Sequence, residues 1–107
     1  MSNLFEELPA DLSQEAIEIL ASGQQVTIER IVSNGQSSPN GFWYDQNQHE
    51  WVILLKGEAR IEFIDNHQTV CMKPGDYLNI EAHRKHRVAF TSNHETTVWL
   101  AIHYSPS

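Results

Sequence analysis

Seven stretches of the chain alternate apolar with polar residues at a period of two and are rich in Val, Ile and Thr: 26–32, 50–56, 59–64, 68–72, 77–80, 87–91 and 97–103. Successive side chains on a strand point to opposite faces, so runs of this kind predict short, half-buried strands. Turn-forming residues separate them at Ser33-Asn34-Gly35, Ser38-Pro39-Asn40-Gly41, Lys56-Gly57, Asp65-Asn66, Lys73-Pro74-Gly75 and Thr91-Ser92-Asn93. Ahead of the first run the period changes. Ala10 to Ala21 sets Leu12, Ala16, Ile17, Ile19 and Leu20 at near-helical spacing, with Asp11 or Ser13 as the N-cap and Gly23 just past the end, which predicts one short helix. Seven or eight strands with no crossover helices between them predict an antiparallel all-β sandwich or barrel. With no repeat or linker in the chain, residues 1–107 are expected to form one domain, a helical segment over 1–23 and a barrel over 24–104.

Composition narrows the functional classes. A chain of 107 residues supports a single core, small enough that a dimer partner covering apolar surface would help it. Fourteen Asp and Glu against seven Lys and Arg give a net charge of -7, which repels phosphate backbones and anionic lipid headgroups, so neither nucleic acid nor membrane is an expected partner. No apolar stretch approaches the roughly 20 residues that a membrane helix requires, and the expectation is a cytoplasmic protein. Cys71 is the only cysteine, so an intramolecular disulfide and a thiolate metal cluster are both excluded; it reads as a small buried apolar residue.

The chemistry concentrates in two strand-to-turn segments. Glu50 precedes Gly57 in Glu-Trp-Val-Ile-Leu-Leu-Lys-Gly, and His86 follows Gly75 in Gly-Asp-Tyr-Leu-Asn-Ile-Glu-Ala-His-Arg-Lys-His. By strand parity, Val52 and Leu54 share the face of Glu50, while His49, Trp51, Ile53 and Leu55 take the other. An unbroken extension of the strand would bring Gln48, Gln46 and Tyr44 onto the Glu50 face as well. Arg30 or Arg60 is a candidate partner for the Glu50 carboxylate if it serves only as a buried ion pair. His67 and His94 stand beside polar turn residues and read as solvated.

These two segments resemble the paired signature motifs of the cupin superfamily. Gly41, Glu50 and Gly57 match the first motif, whose two histidine positions hold Tyr44 and Gln46 or Trp43 and Asp45 here. Gly75 and His86 match the second, in which Glu81, His83 and Phe90 replace Pro, Gly and Asn. The resemblance implies an antiparallel double-stranded β-helix, or jelly-roll barrel, and a homodimer. It also implies a mononuclear divalent ion, commonly iron, manganese, nickel or zinc, held inside the barrel by three histidines and a glutamate. Glu50 and His86 are then the anchoring ligands. His83 supplies a second imidazole if it turns inward, and Gln46 or Asp45 supplies oxygen in place of a missing histidine. Tyr44, Asp45 and His103 are expected around the ligand pocket.

Two functional classes fit this reading. One is a metal-dependent enzyme of dioxygenase, isomerase or decarboxylase type acting on a small organic molecule, with His83 or His86 relaying protons. The other is a metal-free binding or sensor module without catalysis. The basic run Arg84-Lys85-His86-Arg87 is a candidate for drawing in a carboxylate or phosphate, against the plainer reading of turn and surface charges. Trp43, Tyr44, Trp51, Tyr77, Phe90 and Trp99 read as barrel lining or dimer interface. No nucleophilic motif and no glycine-rich phosphate loop occurs.

Overall fold

The computed structural model describes residues 1–106 and contains eight strands: β1 (Ala16–Ser22), β2 (Val26–Ser33), β3 (His49–Lys56), β4 (Ala59–Phe63), β5 (Thr69–Met72), β6 (Tyr77–Ile80), β7 (His86–Thr91) and β8 (Thr97–Tyr104). They form a five-stranded sheet, β1-β2-β8-β3-β6, and a three-stranded sheet, β5-β4-β7, with every pairing antiparallel. The fold is thus the antiparallel double-stranded β-helix. Strands β2 to β8 follow the seven alternating runs closely, because alternation directly encodes which side chains enter the space between the sheets.

The N-terminal helix is not found. Residues 16–22 form an edge strand instead, paired to β2 through Ala16↔Val32, Ile17↔Ile31 and Ile19↔Glu29. Leu12, Ala16 and Ile19 do repeat at helical spacing, but Ile17 and Ile19 also fit a strand. Pairing with β2 satisfies backbone groups that an isolated short helix would leave at its ends. Asp11 accepts a hydrogen bond from the Ser13 N–H at 3.0 Å, a local turn rather than a helix cap. Cys71 is corrected as well. It is exposed, because on β5 the inward positions are Val70 and Met72 and parity turns Cys71 outward.

Inside the sandwich, Val52, Leu54, Ala59, Ile61, Phe63, Met72, Ile80, Trp99 and Ala101 pack into one apolar cluster. Complete burial of Leu54 is worth about 2 kcal/mol. This end of the barrel is closed tightly at the β3–β4 turn. Gly57 has φ 94°, and a Cβ there would lie 2.7 Å from the Thr97 Cα, so only glycine fits.

On the outer face of β2, Arg30 is buried under the N-terminal segment. Its guanidinium donates to the carbonyls of Leu4, Glu6 and Glu7 and to the Glu18 carboxylate at 2.7 Å. Arg60 is exposed and lies over the Phe90 ring. Neither arginine reaches Glu50.

Candidate functional site

Three strands of the large sheet change character along their inner face. Leu54, Val52 and Glu50 succeed one another on β3, Trp99, Ala101 and His103 on β8, and Ile31 and Glu29 on β2, each running from apolar to ionisable toward one end. Register aligns these ends, since Glu50 pairs with His103 and Val52 with Ala101. The small sheet contributes His86, the first residue of β7, which pairs with Phe63 of β4. A cavity of about 100 Å³ opens there between the sheets, walled by apolar side chains that include Ile31, Val52, Ile61 and Val88.

Glu50 and His86 meet across this cavity, with Oε1 3.4 Å from Nε2. The imidazole is held on both sides. Its Nδ1 lies 2.9 Å from the Arg84 carbonyl, which can only accept, so Nδ1 carries a proton and Nε2 is left facing Glu50. Tyr44 stacks on the ring at 5.5 Å between centroids and an interplanar angle of 26°. Backbone pairing fixes that stack, because Tyr44 and His86 exchange hydrogen bonds of 2.7 and 3.2 Å. Proton transfer to or from Nε2 would therefore take place at a defined atom, beside a carboxylate and with little solvent access.

A second acid–imidazole pair lines the same cavity. His103 Nε2 lies 3.1 Å from Glu29 Oε1, both side chains mostly buried. A third carboxylate, Glu15, precedes β1 and accepts from the Ser33 hydroxyl at 3.0 Å. Burial raises the Glu15 pKa above its ordinary value; the Ser33 hydrogen bond opposes the shift and the Glu50 charge adds to it. Burial, then the charges of Glu15 and Glu50, likewise raises the Tyr44 phenol, which keeps it protonated.

The residues named from the sequence divide into two groups. Glu50, His86, Gln46, Tyr44 and His103 all line the cavity. His83 and Asp45 do not. They form an exposed pair at the rim, with Nδ1 2.8 Å from Oδ1. His83 has φ 65°, a left-handed conformation that aims its N–H at the Gln46 carbonyl, 2.7 Å away, and leaves its side chain at the surface. Its expected inward turn is not seen. The basic run is also spent elsewhere: Arg84 pairs with Asp65 and lies over Phe63, and Arg87 bonds Glu62 and the Ser38 carbonyl.

Sequence reasoning passed over Glu29 and Glu15. Parity gave access to Glu29, which must face inward if Arg30 faces out. Glu15 was hidden by the helical reading of its segment. Trp99, named only among the aromatics, proves central: it is 3% exposed, lines the cavity, and its indole Nε1–H has no hydrogen-bond partner among the described residues.

The family model described as "Cupin domain" matches residues 28–103. The chain belongs to the cupin family. Among solved cupin-like structures, one from Ralstonia eutropha, described as a candidate mannose-6-phosphate isomerase, is 45% identical, with 99% of this chain and 98% of that chain covered and a TM-score of 0.95. A cupin superfamily protein from Desulfitobacterium hafniense is 23% identical over 92% of this chain and 84% of its own, with a TM-score of 0.75. An RmlC-like cupin with a double-stranded β-helix fold from Methanocaldococcus jannaschii is 19% identical, covers 92% and 87%, and has a TM-score of 0.71. No curated protein matches the chain.

Cupins commonly hold a metal on three histidines and a glutamate, and the donors of this chain do not fit that shell. Of the residues that the two motifs offer for those positions, Tyr44, Gln46, Glu50 and His86 line the cavity, and Trp43 and Asp45 do not. A phenol kept protonated and a neutral amide are poor ligands for a transition metal, which leaves one imidazole and one carboxylate. Among the described residues, no three His, Cys, Asp or Glu side chains are grouped to hold an ion.

Proposed function

We propose that this cupin binds a small organic molecule in the cavity between its sheets without requiring a metal. The carrying observation is the 3.4 Å contact of Glu50 with His86 in a cavity whose walls include Ile31, Val52, Ile61 and Val88. A few convergent polar groups on apolar walls are the usual make-up of a small-ligand site. Tyr44 and Gln46, in place of histidines, offer hydrogen bonds to an organic ligand more readily than lone pairs to a metal.

The name of the Ralstonia eutropha protein points to a phosphorylated sugar, and the cavity gives that class no support. Among the described residues no lysine or arginine lines it, whereas Glu15, Glu29 and Glu50 do. A phosphate dianion placed among carboxylates would be repelled in a setting where water screens poorly.

A thermal-shift screen of small organic molecules, run with a metal chelator present, tests the proposal, because a ligand bound only by the folded state raises the melting temperature. The expected result is at least one compound whose stabilisation persists in chelator and disappears in both Glu50→Gln and His86→Asn. Stabilisation that chelator abolishes, or that neither variant affects, would overturn it.

A further inference from the structure

We propose that two copies of this chain associate face to face through the outer surface of the large sheet. That surface lies on the opposite side of the sheet from the cavity and is separate from the ligand site.

The two outer faces of the sandwich differ. On the small sheet the outward positions hold Arg60 and Glu62 of β4, Thr69 of β5 and Arg87 of β7, as a sheet face in contact with water requires. The one large apolar side chain among them, Phe90, lies under the Arg60 guanidinium. On the large sheet, register instead aligns apolar residues in rows across the strands. Ile28, Ile102 and Trp51 form one row, and Leu100, Ile53 and Tyr77 the next. Five of the six are half-buried and Tyr77 is 64% exposed. Arg30, the charged residue that heads the second row, is buried under the N-terminal segment and bonded to it. No element covers the rest of either row, and a contiguous apolar patch left in water marks an interaction surface.

The polar groups at the margin of the patch are already satisfied. The Tyr104 hydroxyl donates to the Asn79 side-chain oxygen at 2.6 Å, and His49 Nδ1 accepts from the Ala82 N–H at 3.0 Å. Covering groups that are paired avoids the desolvation cost that unpaired ones would bring.

A second copy of the chain is the occupant that fits. With a net charge of -7, two copies repel one another over most of their surfaces, so contact is favoured where charge is missing. The partner must then present an uncharged apolar face of matching twist, and the same face of another copy does so. Sheets of the same right-handed twist pack face to face about 30° apart. A two-fold axis through the patch sets the rows of one copy against those of the other. Four strands about 4.8 Å apart and about 20 Å long give roughly 400 Å² in plan on each copy. That is the small end of specific interfaces, where association is reversible and depends on concentration.

Sedimentation velocity of the full chain from about 1 µM to about 1 mM tests the proposal. The expected result is a shift from the 12.3 kDa monomer to twice that mass within this range. Trp51→Glu and Ile102→Glu set a charge against its own copy in an apolar contact, and each is expected to raise the midpoint about 100-fold or more. Tyr77→Glu alters a side chain that is already solvated, so the fold is kept, and the midpoint is expected to rise about tenfold even if the central variants are too unstable to measure. Thr69→Glu on the small sheet and Ile19→Glu on the β1 edge are expected to leave it unchanged. A chain that stays monomeric throughout would overturn the proposal, as would a dimer that survives every large-sheet variant. A dimer lost in Ile19→Glu alone would overturn it too, by placing the contact at the β1 edge.

Discussion

Leu54 and Glu50 sit on the same face of the same strand, and their surroundings are opposite. At Leu54 the two sheets pack together with Ala59, Met72 and Trp99, no solvent reaches the side chain, and the adjoining turn tolerates only glycine. Two inward positions further along the strand, Glu50 meets an imidazole across an open space whose walls carry two more carboxylates. The first region has the close packing that makes a fold unique. The second withholds it. A protein that needed only stability would fill that end with Val and Leu, since well-packed apolar residues match or exceed a buried ion pair in stabilisation. Keeping Glu50, His86, Glu29 and His103 there is understandable if the space is for a ligand.

The contrast is open to being broken, most severely at the packed end. Gly57→Ala forces a side chain into the Thr97 backbone at a positive φ and is expected to cost about 4 kcal/mol or to prevent folding, measured by urea denaturation. Leu54→Ala opens a void in the fully buried cluster and is expected to cost about 3 kcal/mol. A loss below about 1 kcal/mol would mean that the end is not tightly packed.

Smaller effects belong to the polar end. A double-mutant cycle with Glu50→Gln and His86→Asn is expected to give a coupling of about 1 kcal/mol, because both groups are shielded from water. The same cycle at the rim, with Asp45→Asn and His83→Asn, is expected to give about 0.3 kcal/mol or less, because that pair is solvated. Equal couplings would remove the distinction between cavity and rim.

The smallest effect is a pH dependence. Glu15 has its folded pKa raised above the ordinary value of 4.5, so the folded state binds its proton more tightly than the unfolded state does. The stabilisation from this group is complete below that value and is lost as pH rises through the raised one. Glu15→Gln lacks this loss, so its melting temperature is expected to gain on that of the natural protein as pH increases from 4.5 toward neutrality. A difference that stays constant with pH would show that Glu15 is not buried in an uncompensated state.

Strand parity explains what was readable in the sequence. Once Glu50 was placed inward, Val52, Leu54, Gln46 and Tyr44 followed, and the second motif supplied His86 from the opposing sheet. What parity could not supply was the path of the chain outside its strands. His83 stands three residues before His86 and has the right chemistry, but a left-handed backbone angle in the turn sends it to the rim. Nothing in the identity of a histidine encodes that angle. Glu15 was lost for a different reason: β1 is a short edge strand whose apolar residues satisfy two periodicities, and only its pairing with β2 decides between them. Trp99 could be read as buried, but an unpaired indole N–H exists only in three dimensions, as the absence of an acceptor nearby.

Elemental analysis of the protein purified without chelator tests the central claim most directly, since the claim is that the Glu50–His86 pair serves an organic ligand and not an ion. The expected result is iron, manganese, nickel and zinc all well below one atom per chain, and no change in His86→Asn. One atom of a single transition metal per chain, lost in that variant, would contradict it.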